Sequence, residues 1–298
     1  MTQTIQELSN GLAAAVTAVA PSVVRVDGRR RSAASGIVWS TDGLIVTANH
    51  VIHRDDNIRV ASAGGDTAEG TLIGRDPSTD LALLQINTSG LTAPTFAAED
   101  EMGVGHFVLA LGRPGRTVQA TFGIVSALGD EWRTPMGGRI DRYLQTDVIM
   151  YPGFSGGPLV GANGNIMGLN TSGLGQGVSL AIPVATLSRV VDSLRAHGRV
   201  RRGYLGVSTQ RVRLPEDVAA STGQRAGLLA ISVESGSPAA EAGLTLGDTI
   251  LTLSGRPIVR HEDLLAALSG EAVGQKEVMQ ILRGGRVQEL TVKIGERE

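Results

Sequence analysis

The stretch that decides the fold and the chemistry is GFSGGPL, residues 153–159, in which one serine lies among three glycines. Glycine adopts positive φ at no steric cost, so this stretch predicts tight turns and close approach of other groups. Such a turn exposes the Ser155 hydroxyl and directs the N–H groups of Gly153, Phe154 and Ser155 towards the place where an oxyanion would form. A hydroxyl is a weak nucleophile, so catalysis also requires a base and a carboxylate elsewhere in the chain.

Two motifs upstream supply the base and the carboxylate. TANHVI, residues 47–52, contains His50, and DPSTDLALL, residues 76–84, contains Asp80. Histidine titrates close to neutral pH, which suits a general base. Asp80 directly precedes an apolar run that would hold it against a core, whereas the aspartate four residues earlier is followed by proline, as in a turn. The chain order His50, Asp80, Ser155 is that of the chymotrypsin-type catalytic triad.

The composition is that of a globular protein rich in turns. Hydrophobic residues make up 42% of the 298 residues and charged residues 19%, which suits two domains with separate cores. The 40 glycines favour short strands joined by turns, as in an all-β protein. A net charge of −2 gives no electrostatic reason to expect nucleic acid or an anionic membrane as a partner. The chain has no cysteine, so we expect no disulfide.

Short β-rich runs alternate with turn signals between residues 22 and 181. About a dozen strands without intervening helices favour two packed antiparallel barrels over a parallel sheet. His50 and Asp80 fall in the first half of this region and Ser155 in the second, so we expect a site in the crevice between the barrels. The predicted strands are 22–27, 35–40, 43–48, 57–62, 67–74, 81–86, 106–111, 118–127, 141–146, 165–170 and 177–181.

Two segments outside these strands have helical periodicity. The N-terminal segment, 1–21, begins with a capping box formed by Thr4 and Glu7 and ends at a proline. One apolar stripe follows the box at helical spacing: Ile5, Leu8, Leu12, Val16 and Val19. The stripe predicts packing either on the adjacent barrel or on a neighbouring subunit. The second segment follows Pro183 and ends at His197-Gly198, in the manner of a glycine C-cap.

A short basic linker, residues 198–203, leads to a second domain. Strand signals and one helix, predicted over roughly 261–269, indicate a small, partly open barrel that ends in two strands around 277–283 and 286–294. A peptide could add a strand to its edge after Val207, with the terminal carboxylate held by the N–H groups of the preceding loop. The loop residues are Tyr204, Leu205, Gly206 and Val207. The predicted domains are therefore 1–21, 22–198 and 199–298.

Several further motifs complete a pattern that resembles one known family. They are PSVV at 21–24, SGIV at 35–38, AIP at 181–183, YLGV at 204–207 and GSPAAEAGLTLGD at 236–248. With the three triad motifs, residues 20–195 resemble the protease domain of the HtrA/DegP family and 203–295 resemble its PDZ domain. The resemblance implies a chymotrypsin-like double β-barrel followed by a PDZ domain, and a serine endopeptidase for unfolded or misfolded polypeptides that needs no cofactor. It also implies that the PDZ domain binds C-terminal peptides and that the N-terminal segment supports a homotrimer.

Phe154 departs from the family pattern, which usually has asparagine before the nucleophile. If the loop is formed, we expect the ring to pack aside and the Phe154 N–H to join the donors. If the ring displaces the loop, one donor is lost, which costs roughly 10²–10³ in turnover. The second case would favour a rival function, that of a catalytically weak or inert peptide-binding adaptor or chaperone. Hydrolysis of small esters is a third function, for which a PDZ domain has no use.

The resemblance also implies a specificity pocket. Its base would lie six residues before the nucleophile, at Ile149, and its walls would include Met150 together with Val178 and Leu180 of the strand around 177–181. None of these side chains is acidic, so a basic substrate side chain would be buried without a partner. We therefore expect cleavage after medium-sized apolar residues.

The remaining expectations concern metals, a supporting residue and the compartment. His50 and His53 have no convincing third ligand nearby, so no metal is expected. Asp147 is expected to hydrogen-bond the loop that carries Ser155. No apolar run reaches the roughly 18 residues that span a bilayer. The N-terminus has no signal-peptide pattern, so a cytoplasmic location is expected, with the periplasm as the alternative if a leader has been removed.

Overall fold

The computed structural model describes residues 2–29, 32–98, 101–175, 177–268 and 270–296. The chain forms two compact units, Met1–Val200 and Arg201–Glu298. The first unit contains two closed six-stranded antiparallel barrels and the second contains an antiparallel sheet. The predicted fold class, mostly β with a double barrel followed by a smaller domain, is confirmed.

The first barrel precedes residue 87 and has the order β1-β2-β3-β6-β5-β4. Strands β4 and β5 alternate between buried and more exposed residues, whereas β2 and β3 are buried along their whole length. The apolar residues of these two strands fill the core. The strands are β1 (Val23–Asp27), β2 (Ala34–Val38), β3 (Leu44–Ala48), β4 (Ile58–Ala61), β5 (Thr67–Asp76) and β6 (Leu81–Ile86).

The second barrel has the order β11-β14-β13-β12-β7-β8. The sequence did not predict β12, which starts three residues after Ser155, because its glycine- and proline-rich entry is typical of a turn. The strands are β7 (Phe107–Gly112), β8 (Gln119–Gly129), β11 (Tyr143–Thr146), β12 (Pro158–Gly161), β13 (Ile166–Thr171) and β14 (Ser179–Pro183). A separate hairpin pairs β9 (Trp132–Arg133) with β10 (Arg139–Ile140).

Two helices pack on the barrels of the first unit. Helix α1 spans Thr2–Val19, so the prediction that Thr4 caps it is wrong: the helix continues through Thr4 towards the N-terminus. Its apolar stripe divides into two parts, because Val19 is buried in the barrel core with Leu12 and Val16 packed against it, while Ile5 and Leu8 are exposed. Helix α2 spans Val184–His197 and ends at Gly198 in the left-handed conformation, which confirms the glycine C-cap.

The second unit contains a sheet with the order β16-β17-β18-β20-β21, in which β19 pairs with β18, and a separate two-stranded sheet of β15 and β22. Strand β16 therefore lies at an edge of the sheet. The strands are β15 (Gly203–Tyr204), β16 (Val207–Arg213), β17 (Ala226–Val233), β18 (Thr249–Leu253), β19 (Arg256–Pro257), β20 (Lys276–Arg283), β21 (Arg286–Lys293) and β22 (Gly295–Glu296). The helices are α3 (Glu216–Thr222), α4 (Pro238–Glu241) and α5 (His261–Ala267). Among the described residues, no helix has the length and apolarity to cross a bilayer.

Candidate active site

His50 and Asp80 form a closely held pair on the first barrel. His50 lies in a 3-10 turn, Asn49–Val51, directly after β3. Its Nδ1 is 2.8 Å from Asp80 Oδ2, and its backbone N–H donates to Asp80 Oδ1 at 2.8 Å. A carboxylate only accepts, so the imidazole proton is on Nδ1 and the lone pair of Nε2 faces away from Asp80. Both the ring orientation and the tautomer are fixed by the same carboxylate.

Asp80 is itself held on several sides. Its backbone has a φ of 57°, a left-handed conformation that aspartate tolerates, and its carbonyl accepts from Asn49 N–H at 2.9 Å. The Thr171 hydroxyl donates to Oδ2 in a short hydrogen bond. The side chain is 5% exposed. The aspartate at position 76 instead accepts from the hydroxyls of Ser78 and Thr79, so it serves the turn before β6 and not the imidazole.

Gly173 covers the His50–Asp80 pair. A Cβ at this position would lie 2.6 Å from Asp80 Oδ2 and 3.0 Å from His50 Nδ1. Real side chains do not make such contacts, so only glycine lets the chain after β13 pass this closely.

The nucleophile candidate follows a tight turn on the second barrel. The Phe154 N–H donates to the Tyr151 carbonyl at 3.0 Å, and Gly153 has a φ of 93°. With Pro152 at its second position and glycine at its third, this is a type II turn. The expectation that Phe154 supplies an oxyanion donor is therefore wrong, because the turn itself uses its N–H. The N–H groups of Gly153 and Ser155 have no acceptor among the described residues.

The Phe154 side chain packs away from the site. It is fully buried and makes an edge-on contact with the Tyr151 ring, with centroids 5.8 Å apart. Gly112 gives it room, since a Cβ there would lie 2.7 Å from a ring carbon. The expectation that the ring packs aside agrees with these contacts.

Ser35 of β2 holds the turn from the first barrel. Its hydroxyl donates to the Gly153 carbonyl at 2.7 Å, and its backbone N–H donates to the Ser155 carbonyl at 3.1 Å. The same hydroxyl accepts from Arg113 N–H at 2.7 Å. One buried serine therefore fixes both carbonyls beside the unpartnered N–H groups.

The Arg113 side chain extends this contact to the start of β1. Its guanidinium donates to the carbonyls of Ala20, Val23 and Arg116 at 2.7–2.8 Å. Burial lowers the pKa of the guanidinium from its ordinary value, and the three carbonyl dipoles offset part of the cost of the buried charge.

The Ser155 hydroxyl reaches the imidazole through another hydroxyl. Ser155 Oγ is 3.2 Å from Ser172 Oγ, and Ser172 Oγ is 3.4 Å from His50 Nε2. The structure therefore brings all three predicted triad residues to the boundary of the two barrels, with Ser172 between the nucleophile candidate and the base candidate.

The second unit carries the predicted peptide-binding loop. Gly206 has a φ of 76°, and a Cβ there would lie 2.2 Å from Ser237 Cβ, so the tight turn requires glycine. The loop carbonyls are engaged, since Leu205 accepts from Ala239 N–H at 2.9 Å and Gly206 from Glu234 N–H at 2.8 Å. Leu205 is buried in the core of the unit. The loop leads directly into the edge strand β16.

This geometry and the two-unit architecture agree with comparisons to known proteins. Residues 34–169 match the trypsin-like peptidase domain model and residues 203–294 match the PDZ domain model. The solved HtrA-type protease AlgW with decapeptide is 31% identical to this chain, covering 96% of this chain and 99% of its own, with a TM-score of 0.80. The chain belongs to the HtrA/DegP family.

Curated HtrA/DegP relatives extend beyond this chain. A DegP-like protein of Ectopseudomonas mendocina is 40% identical over 279 residues, which is 90% of this chain and 58% of the relative. The chain thus spans less than two thirds of that relative's length. A solved serine endoprotease from Yersinia pestis is 31% identical, with a TM-score of 0.80 and coverage of 96% of this chain and 98% of its own.

The family comparison corrects the expected compartment. The relatives from Ectopseudomonas mendocina and Pseudomonas putida are named as periplasmic serine endoproteases. The prediction of a cytoplasmic location is therefore wrong. It rested on the absence of a leader pattern, and an absence in the given residues says nothing about the compartment.

The residues expected to form the specificity pocket lie in different environments. Ile149 is 61% exposed, and its carbonyl accepts from Thr121 Oγ1 at 2.8 Å. Val178 and Leu180 both adjoin Gly175, where a Cβ would lie 2.8 Å and 3.0 Å from them. Met150 packs against the buried cluster that contains Phe154.

Two further expectations concerned Asp147 and a metal ion. Asp147 does not bond the nucleophile turn, because its Oδ1 accepts from Ile124 N–H at 2.6 Å and so joins β8 to the segment after β11. That expectation is wrong. The ring of His53 lies 3.0 Å from the His50 carbonyl oxygen. Among the described residues, no group of three or more potential ligands is placed to hold a metal ion.

Sequence reasoning missed four residues that complete the site: Ser35, Thr171, Ser172 and Gly173. The last three follow one another at the end of β13, as a polar run after an apolar strand. That change in polarity was the available signal, although it does not reveal which groups the hydroxyls meet.

Proposed function

We propose that this chain is a serine endopeptidase for unfolded or misfolded polypeptides, with Ser155 as nucleophile. The observation that carries the proposal is the pair of unpartnered N–H groups, on Gly153 and Ser155, beside a hydroxyl linked to an oriented imidazole. Amide hydrolysis needs a nucleophile, a base and donors for the developing oxyanion, and these residues provide all three.

The residues divide the reaction between them. Ser155 Oγ attacks the peptide carbonyl while His50 Nε2 accepts its proton, and Asp80 stabilises the resulting imidazolium through Nδ1–H. The carbonyl oxygen becomes negative and accepts hydrogen bonds from the N–H groups of Gly153 and Ser155. His50 then gives the proton to the leaving amine, and water hydrolyses the acyl enzyme by the same steps. General acid–base transfer contributes about 10²–10⁴ in rate, and each oxyanion donor about 10²–10³.

The expected specificity follows from the apolar side chains near the nucleophile. We assign Ile149 to the pocket base and Met150, Val178 and Leu180 to its walls. A pocket without an acidic side chain leaves a basic substrate residue unpaired. Burial of valine, alanine, isoleucine or leucine in it only removes apolar surface from water, which is favourable.

The second unit is proposed to bind C-terminal peptides. Strand β16 has a free side at the edge of its sheet, and α5 lies near it, because His261 Nδ1 is 3.3 Å from Thr209 Oγ1. A peptide strand can pair with β16 while the loop Tyr204, Leu205, Gly206 and Val207 takes its carboxylate. Such a peptide either brings substrate to the protease or biases the nucleophile turn.

The remaining proposals concern assembly and location. A homotrimer would cover the exposed apolar end of α1, where Ile5 and Leu8 are 69% and 46% exposed. The periplasm is the proposed compartment, as the names of the relatives indicate.

Digestion of a permanently unfolded protein tests the proposal. Reduced and carboxymethylated lactalbumin would be incubated with the wild type and with Ser155→Ala, with and without peptides that end in an apolar residue. We expect fragments from the wild type only, and mass spectrometry of their new C-termini should find mainly valine, alanine, isoleucine and leucine.

Two results would contradict different parts of the proposal. Fragments that end in arginine or lysine would refute the assigned pocket but leave the nucleophile in place. Absence of cleavage under every peptide condition, together with suppression of aggregation by the wild type, would favour the inert adaptor or chaperone.

A further inference from the structure

Ser172 lies where the nucleophile and the base would otherwise meet. It directly follows β13, its side chain is exposed, and its hydroxyl is 3.2 Å from Ser155 Oγ and 3.4 Å from His50 Nε2. The described hydrogen bonds of Ser155 Oγ include this hydroxyl and not the imidazole.

Chemistry fixes the direction of both hydrogen bonds. In the neutral imidazole His50 Nδ1–H donates its hydrogen bond to Asp80, so Nε2 carries no proton and can only accept. Ser172 must therefore donate its hydroxyl proton to Nε2, which leaves its oxygen as the acceptor for Ser155. In this arrangement the Ser155 proton points to Ser172, and the acceptor site on Nε2 is already occupied.

We propose that Ser172 holds Ser155 out of direct contact with His50 in the free enzyme. This inference rests on the proposed endopeptidase function and adds a hydroxyl that restrains its nucleophile. For direct proton transfer, Ser172 must rotate away so that Ser155 donates to Nε2. The exposed side chain has room in solvent for that rotation, and water can replace its two hydrogen bonds.

Removal of the Ser172 hydroxyl should therefore increase the fraction of molecules in which Ser155 donates directly to His50. A neutral hydrogen bond contributes about 1 kcal/mol net, so its loss shifts the population towards direct Ser155–His50 contact by roughly two- to tenfold. A hydroxyl that instead relayed the proton from Ser155 to His50 would have the opposite signature, because its loss would slow the reaction.

The test is the second-order rate of labelling by a fluorophosphonate probe. In this reaction Ser155 Oγ bonds to phosphorus, the P–F bond breaks, fluoride leaves and the Ser155 proton passes to His50. The proteins compared are the wild type, Ser172→Ala, Ser172→Thr and, as the blank, Ser155→Ala. We expect Ser172→Ala to label roughly two- to tenfold faster than the wild type. The threonine variant, which keeps a hydroxyl, should gain less.

Each outcome has a defined meaning. Equal or slower labelling of Ser172→Ala, while the wild type is labelled, would overturn this inference and leave the endopeptidase in place. Absence of label in both proteins would overturn the proposed function, and this inference with it. For a peptide substrate, kcat/KM of Ser172→Ala should exceed that of the wild type by the same factor as the labelling rate. The increase should be in kcat, with KM unchanged, because Ser172 acts on the nucleophile and not on substrate binding.

Discussion

The two barrels contribute to the site in different ways. The first barrel presents His50 and Asp80 as a pair joined by two hydrogen bonds of 2.8 Å, with Thr171 and Gly173 packed against it. The second barrel presents Ser155 on a turn whose carbonyls are fixed, while the hydrogen bond described for its hydroxyl is with the exposed Ser172. The proposed base is fully oriented in the resting protein, and the proposed nucleophile is not.

This difference matches what each group does in the proposed reaction. The imidazole gains and loses a proton without leaving its place, so a rigid carboxylate partner lowers the cost of its charging. The serine oxygen must move to the substrate carbon and form a bond to it. The fixed N–H groups of Gly153 and Ser155 are positioned in advance for the oxyanion, while the Ser155 hydroxyl is free to move to the substrate.

The largest effect should come from loss of the Asp80 charge. In Asp80→Asn the amide N–H can donate to Nδ1, which favours the tautomer with its proton on Nε2. Nε2 then cannot accept the Ser155 proton, and we expect kcat to fall about 10⁴-fold. Peptide hydrolysis and circular dichroism would measure turnover and folding together.

Asp76→Asn is the matched control, because the hydroxyls described as donating to that buried carboxylate belong to Ser78 and Thr79 of the turn before β6. It should lower thermal stability and leave kcat within a few-fold. Equal losses of turnover in Asp80→Asn and Asp76→Asn would show that both carboxylates act only by stabilising the fold of the first barrel.

Gly173→Ala should break the same pair by steric means. The added Cβ would lie 2.6 Å from Asp80 Oδ2, so the pair or the strand end must shift, and a displacement near 1 Å costs about 10²-fold in rate. The control is Gly115→Ala, where a Cβ meets nothing within 4 Å. Unchanged turnover in Gly173→Ala would mean that the site tolerates a looser base.

Ser35→Ala tests whether the first barrel holds the turn that carries Ser155 on the second barrel. Its hydroxyl positions the Gly153 carbonyl, and without it we expect turnover to fall by roughly tenfold through a less ordered oxyanion turn. Ser22→Ala is the control, since the buried Ser22 hydroxyl has no hydrogen-bond partner among the described residues and its loss should be nearly neutral. If the two variants have the same kcat, the turn does not depend on Ser35.

The smallest effect on turnover should come from Asp141, which lies just before β11 and bonds to Thr186 and Arg189 of α2. Burial alone would raise the pKa of Asp141, but hydrogen bonds from Arg189 and Thr186 and the charges of Arg189 and Arg139 hold it below its ordinary value. A carboxyl with a lowered folded-state pKa stabilises the fold above its unfolded-state pKa of about 4, and this stability is lost as pH falls through the folded-state pKa.

Asp141→Asn should therefore lower the free energy of unfolding by roughly 1–3 kcal/mol near neutral pH, and the gap should narrow in acid. Thermal unfolding measured from about pH 2 to pH 7 tests this, because carboxyl groups titrate within that range. A loss of kcat comparable to that of Ser35→Ala would show that general stability of the second barrel, and not the turn, controls the nucleophile.

Much of the architecture was predictable because its signals are local. The strand runs, the helix that ends at Gly198 and the three triad motifs are each visible within about ten residues of sequence. The type II turn was visible too, since Pro152-Gly153 is its usual pair, and it would have excluded the Phe154 N–H.

Contacts between distant segments were not predictable in the same way. Ser35 meets Gly153 across 118 positions, and Ser172 meets His50 across 122. A serine in a strand or at its end has many potential partners, and only the closure of the two barrels selects one. Strand β12 was missed for the opposite reason, because its local glycine and proline signals favour a turn while tertiary pairing makes it a strand.

The most direct test of the account is the position of the covalent adduct after fluorophosphonate treatment. Two hydroxyls, those of Ser155 and Ser172, lie within 3.2 Å of each other in the site, and peptide mapping by mass spectrometry distinguishes them. The account predicts an adduct on Ser155 alone, lost in Ser155→Ala and in His50→Ala. An adduct on Ser172, or one on Ser155 that forms equally fast without His50, would contradict it.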